Sequence, residues 1–374
     1  MRIAFYAPLK SPDHAAPSGD RAMARLLMRA LGTAGYDVSV ATGLRSYSRE
    51  PSESARRRLE QLAVAETRLL LAAWTASRAA WRPDLWFTYH PYYKAPDWIG
   101  PAVCESLAIP YVTAEASYAG KRDAGPWRAW QAAVAAALRA AAVNFCFTPA
   151  DRAGLERISD RRGTLVDLPP FIDCSPLPAQ RAPRKDAAVI DLITVAMMRP
   201  GDKLESYRML AQALQGLGDL AWRLTIVGDG PASTEVAAAF SSVPAERLVW
   251  TGALAPDQVA SRLAEGDIYV WPGFGEAYGM AYLEAQAEGL PVVAQRTGGI
   301  PSVVVDRVTG LLTEPGDVAA YVSAVRRLML DCDLRRSMGA AAERLVRGER
   351  TLAGAAAILR GALDPLRAAA QEAR

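Results

Sequence analysis

Apolar residues along this chain fall into short runs, separated by longer stretches in which they recur every three or four positions. Runs at residues 3–7, 38–41, 85–89, 111–113 and 143–147 predict buried strands, because a short apolar run with polar flanks suits a strand covered on both faces. Helix-period stretches lie between several of them, most clearly over residues 21–31 and 54–80. The alternation resumes in the second half, with strands predicted at 191–196, 223–227, 248–251, 268–271, 291–294 and 310–312. Strands alternating with helices predict an α/β fold with parallel sheets. Between the halves the pattern breaks down. Residues 168–183, LPPFIDCSPLPAQRAP, are rich in proline and aperiodic, as a linker is. A chain of 374 residues is long for a single core. Domains are therefore expected over residues 1–170 and 171–350, with a final helix within 351–374.

Charge and cysteine usage narrow the picture. The formal charge is +3, yet residues 1–170 carry 22 Lys and Arg against 16 Asp and Glu, while residues 171–374 carry 21 against 24. A basic first half suits anionic lipid or an anionic acceptor, and a solvated arginine-rich surface accounts for it equally well. Cys104, Cys146, Cys174 and Cys332 have no CxxC spacing, so neither a zinc site nor a disulfide framework is expected. A reducing cytoplasm fits them best. The N-terminus MRIAFYAPLK reads as a strand rather than a signal peptide, and no apolar run has transmembrane length.

The chemistry concentrates in residues 271–294, WPGFGEAYGMAYLEAQAEGLPVVA. Glu276 and Glu284 stand there with seven residues between them. Gly279, Met280 and Ala281 are placed to open a helix, whose N-terminal amides and partial positive charge suit a phosphate. A pyrophosphate-linked sugar would sit with its phosphate on those amides and its ring near Glu276, in the preceding loop with Phe274, Gly275 and Tyr278. Glu284 would lie in the first turns of an otherwise apolar helix, where ribose hydroxyls could satisfy it. A carboxylate there is costly without such a partner. The plainer alternative is a capped helix feeding a buried strand, and a Glu pair alone would mean no more than that.

The whole word is more specific. It resembles the donor-binding signature of retaining family-4 glycosyltransferases, enzymes of the GT-B fold: Glu, seven residues, Glu, Ala, a small residue, Gly, then Pro-Val-Val-Ala. Glu284-Ala285, Gly289 and Pro291-Val292-Val293-Ala294 match, while Glu276-Ala277-Tyr278-Gly279 departs mildly from Glu-Gly-Phe-Gly. The resemblance implies two Rossmann-like doubly wound domains facing a central cleft. The first would bind the acceptor and the second the nucleotide-sugar donor, and the last helix would cross back onto the first domain. It implies transfer with retention by front-face attack, the departing phosphate taking the acceptor proton; no cofactor is expected, and no divalent ion, because the sequence offers no convincing metal cluster.

The resemblance also assigns further positions. Arg199 and Lys203, in MMRPGDK, would neutralise the leaving diphosphate, at a spacing one residue shorter than is common. Gly228 and Gly230, in VGDGP, would border the nucleotide, and Leu254, in TGAL, would contact the base through its backbone. Gly19 stands alone in PSGD where the family shows a Gly pair. It would let the backbone approach phosphate or acceptor, with Ser18 or Asp20 capping the next helix. The two histidines are His14, in the loop before Gly19, and His90, at the end of a strand. The family's usual Thr-Phe-His word is absent from Val112-Thr113-Ala114-Glu115-Ala116-Ser117. Either Glu115 takes that role or the role is missing, and both Glu115 and His90 are catalytic candidates. Asp331-Cys332-Asp333 reads as a helix cap rather than a metal word.

The acceptor is less legible. Arg56, Arg57 and Arg58, followed by leucines, Trp74 and Trp81, and joined by Trp127 and Trp130, suit either an interfacial helix on anionic lipid or a helix packed into the first domain. Expected partners are thus a nucleotide sugar and a glycan or lipid-linked acceptor, with an anionic membrane surface as an alternative and no nucleic acid. The expected setting is bacterial cell-surface polysaccharide, lipopolysaccharide or glycolipid synthesis, in the cytoplasm or at the inner face of the plasma membrane. Two competing functions remain: a nucleotide-sugar epimerase of similar fold, and a degenerate scaffold that binds the donor without turnover.

Overall fold

The computed structural model describes residues 1–16, 18–76, 81–175, 177 and 188–372. Part of the expected linker and the end of the helix expected over 54–80 lie outside them. The chain forms two compact units, Met1–Pro169 with Leu352–Arg374, and Pro170–Thr351.

In the first unit β1 (Arg2–Tyr6), β2 (Asp37–Val40), β3 (Leu85–Tyr89), β4 (Tyr111–Ala114), β5 (Val143–Cys146) and β6 (Thr164–Asp167) alternate with α1 (Gly19–Thr33), α2 (Glu53–Thr75), α3 (Gly100–Leu107), α4 (Arg128–Ala140) and α5 (Pro149–Glu156). The strands pair in parallel in the order β2-β1-β3-β4-β5-β6. Phe5, Phe87 and Phe145 stack across this sheet at 5.7 and 6.1 Å between ring centres, fully buried. The hydrophobic pattern finds five of the six strands. It misses β6, whose TLVD run is half exposed at the sheet edge and so lacks the apolar signature of a central strand.

In the second unit β7 (Ile190–Val195), β8 (Trp222–Val227), β9 (Leu248–Gly252), β10 (Ile268–Val270), β11 (Val292–Gln295) and β12 (Gly310–Thr313) alternate with α6 (Asp202–Gln215), α7 (Ser233–Ala239), α8 (Pro256–Glu265) and α9 (Met280–Ala287). They are followed by α10 (Val318–Leu330) and α11 (Cys332–Glu349). The order is β12-β11-β10-β7-β8-β9, again all parallel. Asp331 caps α11, its side chain accepting from Leu334 N at 2.9 Å.

The last helix, α12 (Leu352–Glu372), belongs to the first unit. It buries Ala355, Ala356, Leu359 and Leu363, and Tyr36 donates to its Asp364 at 2.9 Å. Both sheets are doubly wound, so strand order reverses once in each. The reversal lies between β1 and β3 in one sheet and between β7 and β10 in the other. Loops leaving the carboxyl ends of such a strand pair diverge to opposite faces and leave a crevice, where ligands bind in open α/β sheets.

Candidate active site

At the β7–β10 reversal the structure brings two distant residues together. Lys203, in the first turn of α6, is ion-paired with Glu276, in the loop after β10. Trp271 donates its indole N–H to the same Glu276 oxygen at 3.0 Å, and the Lys203 ammonium sits 5.4 Å from the centre of the Trp271 ring. Trp271 is thus a member of the site that the sequence motif began with but did not single out. The loop is pinned to α6, since Phe274 N–H donates to Ser206 Oγ at 2.9 Å. Gly275 is exposed, and a Cβ there would collide with the Asp202 carboxylate. Tyr278 is buried.

Gly279 then opens α9 with φ 77°, and a Cβ would strike the Tyr282 ring. That left-handed conformation suits glycine. It lets the chain turn abruptly so that the amides of Met280 and Ala281 start a helix, free of intrahelical partners. Glu284 lies within α9, and burial alone raises its carboxyl above the usual range. The side chain is half buried, so a hydroxyl donating to that carboxylate would offset part of its desolvation.

Gly228 and Gly230 follow β8 and fit closely against the turn after β7. Their φ values are 148° and 153°, and a Cβ would collide with the carbonyls of Ala196 and Met198 respectively. Arg199 lies in that turn, exposed. Leu254, half buried, follows β9.

The first unit has its own charged cluster at the β1–β3 reversal. His90 immediately follows β3 and Glu115 immediately follows β4, both with left-handed backbones at φ 57° and 53°. Two non-glycine residues in that region at adjacent strand ends store strain, as functional sites do. His90 Nδ1 lies 3.1 Å from Asp20 Oδ1 and 3.9 Å from Glu115 Oε1, and Tyr89 donates to Glu115 Oε2 at 2.8 Å. Burial opposes a charged His90 ring, but Glu115 and the bond to Asp20 outweigh it and raise its pKa to about 9. Burial raises Glu115 to about 7, against the pull of His90 and Tyr89. Burial would also raise Asp20, but the bond and charge of His90 leave its carboxyl below the ordinary range.

Asp20 therefore serves His90, while Ser18 caps α1 by accepting from Arg21 N at 3.2 Å. Gly19 is exposed, with open space where a Cβ would point. His14 lies apart, its Nδ1 accepting from Ala16 N at 3.1 Å. Trp74 and Trp81 pack on the first unit's core, and Trp127 and Trp130 are buried. On α2, however, Leu62, Val64 and Leu69 are exposed. No group of three or more His, Cys, Asp or Glu side chains that could hold a metal occurs among the described residues. No described helix is long and apolar enough to cross a membrane.

Residues 190–331, which hold the Lys203–Glu276 pair and α9, match the family described as Glycosyl transferases group 1. That match lies wholly within the second unit. A sulfoquinovosyl transferase of Arabidopsis thaliana is 40% identical over 123 residues, covering 32% of this chain and 24% of that protein. A GDP-mannose-dependent alpha-(1-6)-phosphatidylinositol monomannoside mannosyltransferase of Mycolicibacterium smegmatis is 32% identical over 194 residues, covering 47% and 50%. The chain thus spans half or less of the length of these curated relatives. Across both units it is similar to the solved structure of Anabaena HepE in complex with UDP, with a TM-score of 0.72 at 15% identity, covering 98% of this chain and 100% of that one. The fold is therefore GT-B, two Rossmann-like domains, and the group 1 match falls in the second.

Proposed function

We propose that this chain is a retaining glycosyltransferase of family 4, moving a sugar from a nucleotide diphosphate sugar to an acceptor hydroxyl. The observation that carries the reading is the meeting of Lys203 and Glu276 across the β7–β10 reversal, beside the open N-terminus of α9. A diphosphate on the α9 amides has its charge met by the helix end, Lys203 and Arg199. Glu276, held by Trp271, faces the hydroxyls of the sugar, and Glu284 accepts from the ribose.

In the step, the bond from the anomeric carbon to the β-phosphate oxygen breaks. The acceptor oxygen bonds the same carbon on the same face, and its proton passes to the departing phosphate. The protein's work is then positioning and charge stabilisation rather than proton abstraction by a strong base. Because protein groups meet the diphosphate charge, the reading requires no divalent ion. His90, Asp20 and Glu115 serve the acceptor in the first unit.

The Mycolicibacterium relative is named for GDP-mannose and a phosphatidylinositol monomannoside. UDP and GDP are accordingly the nucleotides to test first, with a glycan or lipid-linked acceptor from cell-surface or glycolipid synthesis, at the cytoplasmic face of a membrane or in the cytoplasm. Calorimetric titration of UDP, GDP and ADP, each with magnesium and with EDTA, tests the reading. One nucleotide should bind equally well in both conditions. Binding of none of them by folded protein would overturn the donor site, and binding that requires magnesium would overturn metal independence.

A further inference from the structure

We propose that the first unit holds a subsite for an anionic sugar, a ring bearing phosphate or carboxylate, built by Tyr92, Tyr93, Lys94, Arg122 and Trp127. This rests on the transferase reading and names its acceptor class. The residues come from the segment after β3 and the segment between β4 and α4, at the same carboxyl edge of the sheet as His90. Tyr92 stacks on His90 at 5.1 Å between ring centres. Tyr93 meets Tyr92 edge-on at 5.4 Å and Trp127 edge-on at 5.0 Å. Trp127 is buried and seated on Trp130. Tyr92 and Tyr93 remain half exposed. Fixed, partly exposed rings of this kind offer faces to the C–H side of a sugar at little entropic cost.

Two cations accompany the rings. Lys94 Nζ lies 5.8 Å from the centres of both Tyr93 and Trp127, and Arg122 Cζ lies 4.7 Å from the centre of Tyr93. Neither has a carboxylate within ion-pair distance among the described residues. The neighbouring Asp123 is engaged instead by the Tyr118 hydroxyl at 2.5 Å. Arg122 Nε is buried without a hydrogen-bond partner, a costly state for a guanidinium nitrogen. An oxyanion on a sugar lying beside Tyr93 would meet the outer nitrogens of the guanidinium and the Lys94 ammonium and balance both charges.

The test is titration of the full chain with glucose 6-phosphate, glucuronate, glucose and inorganic phosphate. The charged sugars should bind roughly tenfold more tightly than glucose, the yield of one charge-assisted contact, and more tightly than inorganic phosphate, which cannot stack. Lys94→Gln with Arg122→Gln should reduce glucose 6-phosphate to the level of glucose. Tyr93→Phe should preserve binding and Tyr93→Ala should weaken all the sugars. If the double variant does not fold, Lys94→Gln alone should show about half of the effect on a logarithmic scale. Glucose binding as well as glucose 6-phosphate, inorganic phosphate binding as tightly, or indifference to the substitutions would overturn the subsite.

Vesicles of phosphatidylinositol in phosphatidylcholine separate the sources. Sedimentation with them that is lost in the double variant assigns the anionic sugar to a lipid head, and binding of glucose 6-phosphate alone assigns it to a soluble glycan. Nucleotide titration in the same variants should be unchanged. If no nucleotide binds while the sugar response follows the substitutions, the donor reading fails and the subsite stands.

Discussion

Glu276 shares one carboxylate oxygen between the Lys203 ammonium and the Trp271 indole, so its charge and its direction can be tested apart. Glu276→Gln keeps the shape and removes the charge, and should lower kcat by roughly a hundredfold, the usual loss for one preorganised electrostatic contact. Nucleotide affinity should change little. Lys203→Ala removes a phosphate partner as well, and should weaken nucleotide diphosphate binding by roughly tenfold in calorimetry. Turnover that survives both substitutions would remove these residues from the site.

His90 supplies a pH test. Its folded pKa of about 9 exceeds the unfolded value of 6.5. The stability it contributes is therefore complete below about pH 6.5 and is lost as pH rises through about 9. Glu115, raised to about 7 from 4.5, acts in the same direction over its lower window: the folded state favours its protonated form, and stability falls as pH rises through that range. NMR titration of the His90 ring should show a midpoint near 9 that moves toward 6.5 in Asp20→Asn. A midpoint unmoved by that substitution would remove Asp20 from the pair. The word that holds Glu276, Gly279 and Glu284 is visible in the sequence because its residues are local. The Asp20–His90 contact spans 70 positions, and only the sheet's strand order brings its partners together. Without that order, Asp20 looks like any acid in a helix's first turn.

The elements were read where burial leaves a pattern and missed where it does not. Central strands such as β3 and β10 are buried throughout and stand out as apolar runs, whereas edge strand β6 does not. Two glycines at helix starts show what the pattern cannot weigh. Gly279 begins α9 at φ 77° against the Tyr282 ring. Gly279→Ala should therefore cost roughly 1–2 kcal/mol in urea unfolding and abolish nucleotide binding by turning the Met280 and Ala281 amides away. Gly19 has open space around it, so Gly19→Ala should leave stability within about 0.5 kcal/mol. Equal losses in the two variants would show that the backbone at Gly279 is not what sets the start of α9.

At the scale of the molecule, the chain leaves the first unit after Pro169 and returns at Leu352. The two crossing segments are bonded to each other, with Ile172 N–H donating to Arg350 O at 2.9 Å. Periodicity alone marks α12 as amphipathic but cannot name its host, because an apolar stripe fits any complementary groove. In the structure that host is α1, and Arg360 also donates to Ala34 O at 3.1 Å. Removing α12 would expose the surfaces covering Leu359 and Leu363, both fully buried. Each buried leucine contributes about 2 kcal/mol, and with Ala355, Ala356 and the Tyr36–Asp364 bond the loss reaches roughly 5 kcal/mol, comparable to the whole stability of a small domain. A chain ending at Thr351 should therefore lose amide protection across β1, α1 and β2 in hydrogen exchange while β7, β8 and β10 stay protected. The truncated chain should still bind the nucleotide, because Lys203, Glu276 and α9 all lie in the unit that keeps its core. Protection lost equally in both sheets would mean that the two units do not fold independently, and a first unit that stayed protected would show that α12 is not part of its core.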